Sequence, residues 1–440
     1  MADFLWPFTS RRVEARPTSG HVNSYYAATA HPGPAFPRLQ ENLDVDVVVI
    51  GAGFTGINTA IELADRGCRV AVLEARQVGW GCSGRNGGQM ISGLAGYERL
   101  LREMGADDAR KIWQLGADGL DLIQKRITRF GIQCDLKMGV FLAACNARQM
   151  RGLSGDKSRE EQFGYPHRLE LVERRQVRTV VGTDAYVGGV LDYGSGHLHP
   201  LNLCLGEAAG AAGIGVQIFE QSAVLKIERG PRPKVHSAQG SVSADQVVVA
   251  GNAYLEGLVP ELGAYILPAG SYLIATEPLS EGLARELFPR GSAVCDSNVL
   301  LDYYRLSSDR RLLFGGRCNH TGCVPPSIKA ALLPRLLKVF PRLHGVRIDY
   351  EWGGTVAVSL KRIPQLGRLP GGLLYAQGYS GHGLVATHVF GRLLAEAISG
   401  SSEQFDILGR VRHWYLPGGK WFASPALALG MSYYRLKDIL

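Results

Sequence analysis

Hydrophobic positions along this chain change period in a telling order. Residues 45–50 are β-branched and apolar apart from Asp46, the pattern of a strand covered on both faces. A glycine turn follows, then a helical stretch over 55–66 that Gly67 stops, then a second buried strand over 69–73. Strand, helix and strand within about 30 residues predict a right-handed βαβ unit with parallel strands. Periodic segments within 97–129 predict two helices, and 134–144 returns to strand character. Beyond His199-Pro200 the pattern predicts a helix over 201–212 and strands over 216–219, 223–228 and 246–250. Residues 300–314 hold two strands around a Ser-Ser-Asp turn, 373–377 a short strand, and 386–398 a helix. The first 44 residues, rich in Pro, Ser and aromatics, read as an irregular arm. Its Asn23-Ser24-Tyr25-Tyr26 stretch either packs on the body or meets a substrate.

Composition narrows the class. The 440 residues, 46% apolar and 20% charged, suit a globular chain of two domains. The net charge of +8 is spread without a basic stripe, so no nucleic-acid partner is expected. Residues 1–22 lack the apolar run of a signal peptide, and no stretch nears the roughly 18 apolar residues of a membrane span. A cytoplasmic location is the expectation. The eight cysteines lie far apart; Cys318 and Cys323 read as ordinary loop cysteines, and no metal-ligand spacing appears.

Three glycine-rich turns carry the chemistry. Gly51-Ala52-Gly53-Phe54-Thr55-Gly56 lies between a buried strand and a helix. Its glycines permit the sharp turn, the approach of a pyrophosphate and close helix–strand packing, while the helix start offers free N–H groups. Glu74, with Ala75 after it, ends the next strand where a carboxylate accepts from an adenosine ribose, which favours FAD or NAD over NADP. The second turn runs Gly79-Trp80-Gly81-Cys82-Ser83-Gly84-Arg85-Asn86-Gly87-Gly88-Gln89. So much glycine is entropically costly unless something orders it; the backbone N–H groups and Arg85 suit a phosphate or a flavin edge, against the alternative of a loose surface loop. The third, Gly378-Tyr379-Ser380-Gly381-His382-Gly383-Leu384, opens a second helix whose start suits the electron-rich edge of a reduced flavin. His382 either touches flavin or substrate or is structural.

Together these motifs resemble the D-amino acid oxidase/sarcosine oxidase superfamily of FAD enzymes. Within it the chain is similar to the bacterial gamma-glutamylputrescine oxidase and L-pipecolate oxidase branch, through Asn23 to Ala28, Ser195-Gly196-His197-Leu198-His199-Pro200, Leu301-Asp302-Tyr303-Tyr304-Arg305-Leu306 and Pro417-Gly418-Gly419-Lys420. The resemblance implies an α/β fold: a Rossmann-type FAD-binding domain of discontinuous segments (45–100, 195–258 and 362–410) and an α+β substrate domain on a mostly antiparallel sheet (101–194 and 259–361). The arm 1–44 and a C-terminal segment 411–440 flank them. It implies hydride transfer from the carbon beside an amine nitrogen to flavin N5, leaving an imine, with O2 as acceptor. It also places Val224 against the adenine, and Gly251 and Asn252 near the pyrophosphate. Of the two leading substrates, phrases such as Leu267-Pro268-Ala269-Gly270-Ser271-Tyr272 favour L-pipecolate over gamma-glutamylputrescine.

Two departures matter. The superfamily's Tyr-x-x-Pro-Arg carboxylate site reads Tyr303-Tyr304-Arg305-Leu306 here, so Arg305 is a candidate carboxylate ligand or a surface ion-pair residue. The last cysteine, Cys323, precedes the third turn, which implies non-covalent FAD. His382, Tyr379 and Arg305 form the candidate catalytic set. Two other functions stand open: a dehydrogenase passing electrons to a quinone or carrier, its 414–440 stretch touching a membrane surface, and a flavin-binding partner in RNA modification that has lost the amine site.

Overall fold

The strand Asn42–Ile50 sits at the centre of the first of two sheets, because its alternate valines serve two different cores. Val47 and Val49 face one cluster and Val48 and Ile50 the other. In this computed structural model residues 20–255, 257–298, 300–319, 325–400 and 402–415 are described, without the side chains of 317–319. The expectations resting on Cys318, Cys323 and the tail 416–440 lie outside these.

The first sheet runs Gln365–Leu369, Leu373–Gln377, Ser241–Val249, Asn42–Ile50, Val70–Leu73, Gln217–Phe219, with the short strands Lys226–Glu228 and Lys234–His236 attached. Its central strands pair in parallel, Ile50 with both Leu73 and Val249. The helices Phe54–Ala64, Ala106–Phe130, Pro200–Gly213 and Leu384–Ile398 cover one face, and the shorter Tyr97–Glu103 and Glu403–Gly409 join the same core. Residues 101–194 were expected wholly in the substrate domain, and the Ala106–Phe130 helix departs from that. Its Ile112, Leu115, Leu120 and Ile123 share one core with Val47 and Val389, because that stripe is the apolar face of a long amphipathic helix.

The second sheet orders Ile348–Ser359, Ile266–Pro278, Arg311–Asn319, Asp302–Leu306, Ala293–Asp296, Lys137–Ala144, Gly188–His197 and Gln89–Met90, with Leu169–Glu173 beside Gly188–His197. All of its pairs are antiparallel except Ala293–Asp296 with Lys137–Ala144. Along Ile266–Pro278, Tyr272 and Ile274 face the core under the Ile328–Val339 helix, while Leu273 and Ala275 face a cluster built on Tyr25 and Tyr26. The Tyr25-Tyr26 part of the arm is therefore packed on the body: both tyrosines are buried, and Tyr25 Oη donates to Asp309. No helix among the described residues is long and apolar enough to cross a membrane.

Candidate functional site

The strand Asn42–Ile50 delivers the first glycine turn to the edge of the sheet. Gly51 has φ +106, a left-handed value that disfavours any side chain, and a Cβ on Gly56 would lie 1.9 Å from Gly51 O. The helix Phe54–Ala64 starts at Gly53 with no side-chain cap of its own; instead Phe54 N donates to Ser83 Oγ at 2.9 Å. The second turn is thereby hooked onto the first. Glu74 accepts from Ala52 N and Arg76 N, each at 2.8 Å. Burial pushes its carboxyl pKa up, and those two N–H groups pull it back. Ala75 beside it is exposed, and Val224 is half-buried against the far-face core. On the next strand's turn, after Gly251, Asn252 adopts φ 48 and its Oδ1 accepts from Gly378 N at 2.9 Å, which joins this turn to the third.

The second turn is ordered, not a loose surface loop. Asn86 Nδ2 donates to Cys82 O and Ser83 O, and its Oδ1 accepts from Gly88 N, so the loop closes on itself. It is also docked on the second sheet, through Trp352 Nε1 to Arg85 O at 3.0 Å, Cys82 Sγ to Thr355 O at 2.6 Å and Gln89 Nε2 to Val294 O at 2.9 Å. Gly84 and Gly87 leave room for backbone and ring: a Cβ on Gly87 would come within 2.5 Å of the Tyr303 ring. Arg85 stacks 4.1 Å from the Trp80 ring and donates through Nε to Trp80 O, yet its buried Nη2 has no partner among the described residues.

Each of the three candidate catalytic residues has protein partners. Arg305 is not a surface residue. It is 3% exposed, and it donates to Gly87 O at 2.9 Å, Leu198 O at 2.7 Å and Tyr26 Oη at 3.1 Å. Strand register aims it at the second turn, where it clamps two carbonyls. Tyr379 is buried, with its hydroxyl 2.7 Å from Thr55 Oγ1 and its pKa driven well above the usual phenol value by burial. It ties the third turn to the Phe54–Ala64 helix. His382 places Nε2 3.1 Å from Ser92 O, which only accepts, so Nε2 carries a hydrogen; burial holds the ring's pKa down. With its pKa held down, the ring is a weakened base. Tyr303 and Trp352, which line the loop from the sheet side, were missed as site residues. The signal for Tyr303 was the pair Gly87 and Gly315, each of which leaves space for its ring.

The donor set fits FAD. Two long helices, Phe54–Ala64 and Leu384–Ile398, begin at Gly53 and Gly383 without side-chain caps from those residues. Gly378 (φ +75) and Gly381 (φ +88) give the second of these starts an open approach. Arg85 Nη2, without a partner among the described residues, is a buried cationic donor suited to an acceptor.

Comparison with known proteins agrees. The family profile described as "DAO: FAD dependent oxidoreductase" matches residues 46–397. The gamma-glutamylputrescine oxidoreductase of Escherichia coli (strain K12) is 43% identical over 96% of this chain and 99% of its own length. The probable oxidoreductase OrdL of Haemophilus influenzae is 40% identical over 95% of this chain and 97% of its own. Among solved structures, the L-proline dehydrogenase from P. horikoshii superposes with a TM-score of 0.70 at 21% identity, covering 83% of this chain and 96% of that one. The glycine oxidase from Geobacillus kaustophilus gives 0.69 at 21% identity, covering 84% and 100%. These two speak for the fold alone. With the profile spanning most of its length and a 43% relative matched nearly end to end, the chain belongs to the DAO family of FAD-dependent oxidoreductases, and FAD is its cofactor.

Proposed function

We propose that this enzyme oxidises the C–N bond at the amine end of gamma-glutamylputrescine, with O2 as the electron acceptor. The L-pipecolate expectation gives way: the 43% relative is a gamma-glutamylputrescine oxidoreductase. One structural observation carries the same weight. Arg305, the candidate for holding an α-carboxylate beside the reacting carbon, is buried and turns Nε and Nη2 to Gly87 O, Leu198 O and Tyr26 Oη, with Nη1 3.4 Å from Leu306 O. A glutamylated diamine carries its carboxylate at the far end from the reacting amine, so it needs no such cation near the chemistry.

Bound FAD supplies the two-electron acceptor. The protein's part is to hold, orient and desolvate. The Gly53 and Gly383 helix starts and Arg85 would hold the cofactor, with Glu74 at the ribose. Trp352, Gln89 and Arg305 fix the second turn against the substrate sheet. The Tyr303 ring, with its hydroxyl 3.3 Å from Ser271 Oγ, would give the amine an apolar wall with a polar tip. Such a wall lowers an amine's pKa by desolvation, which leaves the nitrogen lone pair free. No side-chain base is required.

Anaerobic mixing of the holoenzyme with gamma-glutamylputrescine, putrescine, L-pipecolate and sarcosine tests this. The glutamylated diamine should bleach the flavin absorbance fastest. Faster bleaching by L-pipecolate overturns the substrate assignment, and bleaching without oxygen uptake on aeration overturns the acceptor.

A further inference from the structure

Beneath the two helix starts that frame the FAD site lies a carboxylate for which the site itself has no use. Glu207, on the Pro200–Gly213 helix, is fully buried, as are Asn58 and His388. Asn58 Nδ2 donates to Glu207 Oε2 at 3.0 Å and to Phe54 O at 3.0 Å. On the other side, His388 Nε2 lies 2.8 Å from Glu207 Oε1 and its Nδ1 lies 2.7 Å from Leu384 O. A carbonyl only accepts, so Nδ1 carries a hydrogen and donates to Leu384. The same logic turns the Asn58 nitrogen towards Phe54, although this leaves Asn58 Oδ1 buried without a partner among the described residues.

Phe54 and Leu384 are the first residues of the two helices that open at Gly53 and Gly383. One carboxylate thus bonds, through one intermediary on each side, to the opening turn of both. The Phe54 and His388 rings also meet, with centroids 5.1 Å apart. Packing alone would be served as well by apolar residues of similar volume, because burying a carboxylate is costly. The retained polar set has a geometry that apolar contacts lack, with four directed bonds converging on two helix starts.

We propose that Glu207 is a positioning residue for FAD, setting through Asn58 and His388 the separation and tilt of the two helix N-termini that grip the cofactor. The inference rests on FAD binding by this chain and is independent of which amine it oxidises. Glu207 touches neither cofactor nor substrate; its effect is read in how well the N–H groups of the two starts converge.

The test compares E207Q, E207L and N58A with the parent enzyme, purified as holoenzyme, stripped of flavin and titrated with FAD. A glutamine can donate to His388 Nε2 and accept from Asn58 Nδ2, so E207Q should keep FAD affinity within about threefold. E207L breaks both bonds and should bind FAD at least about tenfold more weakly, the scale on which supporting shells act. L332A, a cavity in the separate core under the second sheet, is the control: it should lower Tm without weakening FAD. The proposal is overturned if E207L binds FAD like the parent, if E207Q is as weak as E207L, or if L332A loses FAD equally. Should E207L fail to fold, N58A decides: weaker FAD binding at a parent-like apoprotein Tm supports the role, and unchanged binding overturns it.

Discussion

Replacing Arg305 with leucine separates two roles that the sequence left open. In the structure its guanidinium makes three good bonds, to Gly87 O, Leu198 O and Tyr26 Oη, and it is nearly sealed from water. Arg305→Leu leaves two buried carbonyls and a buried hydroxyl short of donors, at about 1–3 kcal/mol each. Relief from burying a cation offsets part of that, so the net loss is about 3–5 kcal/mol. For a chain of this size, that lowers Tm by on the order of 5 °C. Because Gly87 sits in the second turn, flavin occupancy should fall with it. A carboxylate ligand would behave otherwise: KM would rise by more than about tenfold while Tm and flavin content stayed put. The assays are a thermal melt, the flavin-to-protein absorbance ratio, and KM and kcat with gamma-glutamylputrescine. An Arg305→Leu enzyme with parent-like Tm and full flavin but a raised KM would refute the clamp.

Other outcomes follow from single contacts. Gly56→Ala sets a methyl against Gly51 O and should yield protein with little bound flavin, read from the same absorbance ratio. Tyr379→Phe removes the bond to Thr55 Oγ1 and should cost about 1 kcal/mol of stability; a large fall in kcat at unchanged Tm would restore a catalytic role for its hydroxyl. Asp296 has its pKa raised from 3.8 to about 7, first by burial and then by Asp302. A raised carboxyl pKa stabilises the fold fully below about pH 4 and loses that stabilisation as pH passes 7, on the order of 4 kcal/mol at full ionisation. Melts of Asp296→Asn between pH 5 and 8 should therefore fall less steeply than the parent's. His199 works in the opposite sense: burial, then Arg305, lowers its pKa from 6.5 to about 4, so its stabilisation is present above 6.5 and is lost as pH falls through 4. His199→Asn, which keeps a cap for Asn202 N, should resist acid better than the parent; an identical acid midpoint would contradict this.

The sequence made the cofactor legible because its signals are local. Gly51 to Gly56, Glu74 and Gly378 to Gly383 each declare a turn that only a few neighbours decide. Residues 79–89 announced order through their composition. Roles set by distant partners were illegible. Arg305 looked like a ligand because nothing near it in sequence discloses Gly87, 218 residues away. Glu207 reads as an ordinary helix carboxylate until Asn58 and His388, 149 and 181 residues distant, are folded against it. The long strands Ile266–Pro278 and Ile348–Ser359 escaped the hydrophobic pattern because Pro268, Gly270, Gly353 and Gly354 interrupt it. The helix Ala106–Phe130 was seen, but its amphipathic stripe does not say which sheet it will cover.

The arm gives the chain a temporal order. Gly20 O accepts from Trp80 Nε1, while Tyr25 reaches Asp309, 284 residues on, and Tyr26 meets Arg305 and Trp352. Asp309 follows Tyr25 by 284 residues and Arg305 follows Tyr26 by 279, so both tyrosines are made long before these partners. His199 and Leu201 can meet the two rings earlier, but their contacts with Asp309, Arg305 and Trp352 wait until the second sheet closes. Contacts of such sequence separation form slowly, since a long loop must close before they are rewarded. The stretch around Tyr25 and Tyr26 is thus among the last to complete its contacts, and it packs Leu201 of the Pro200–Gly213 helix against Leu273 and Trp352 of the second sheet.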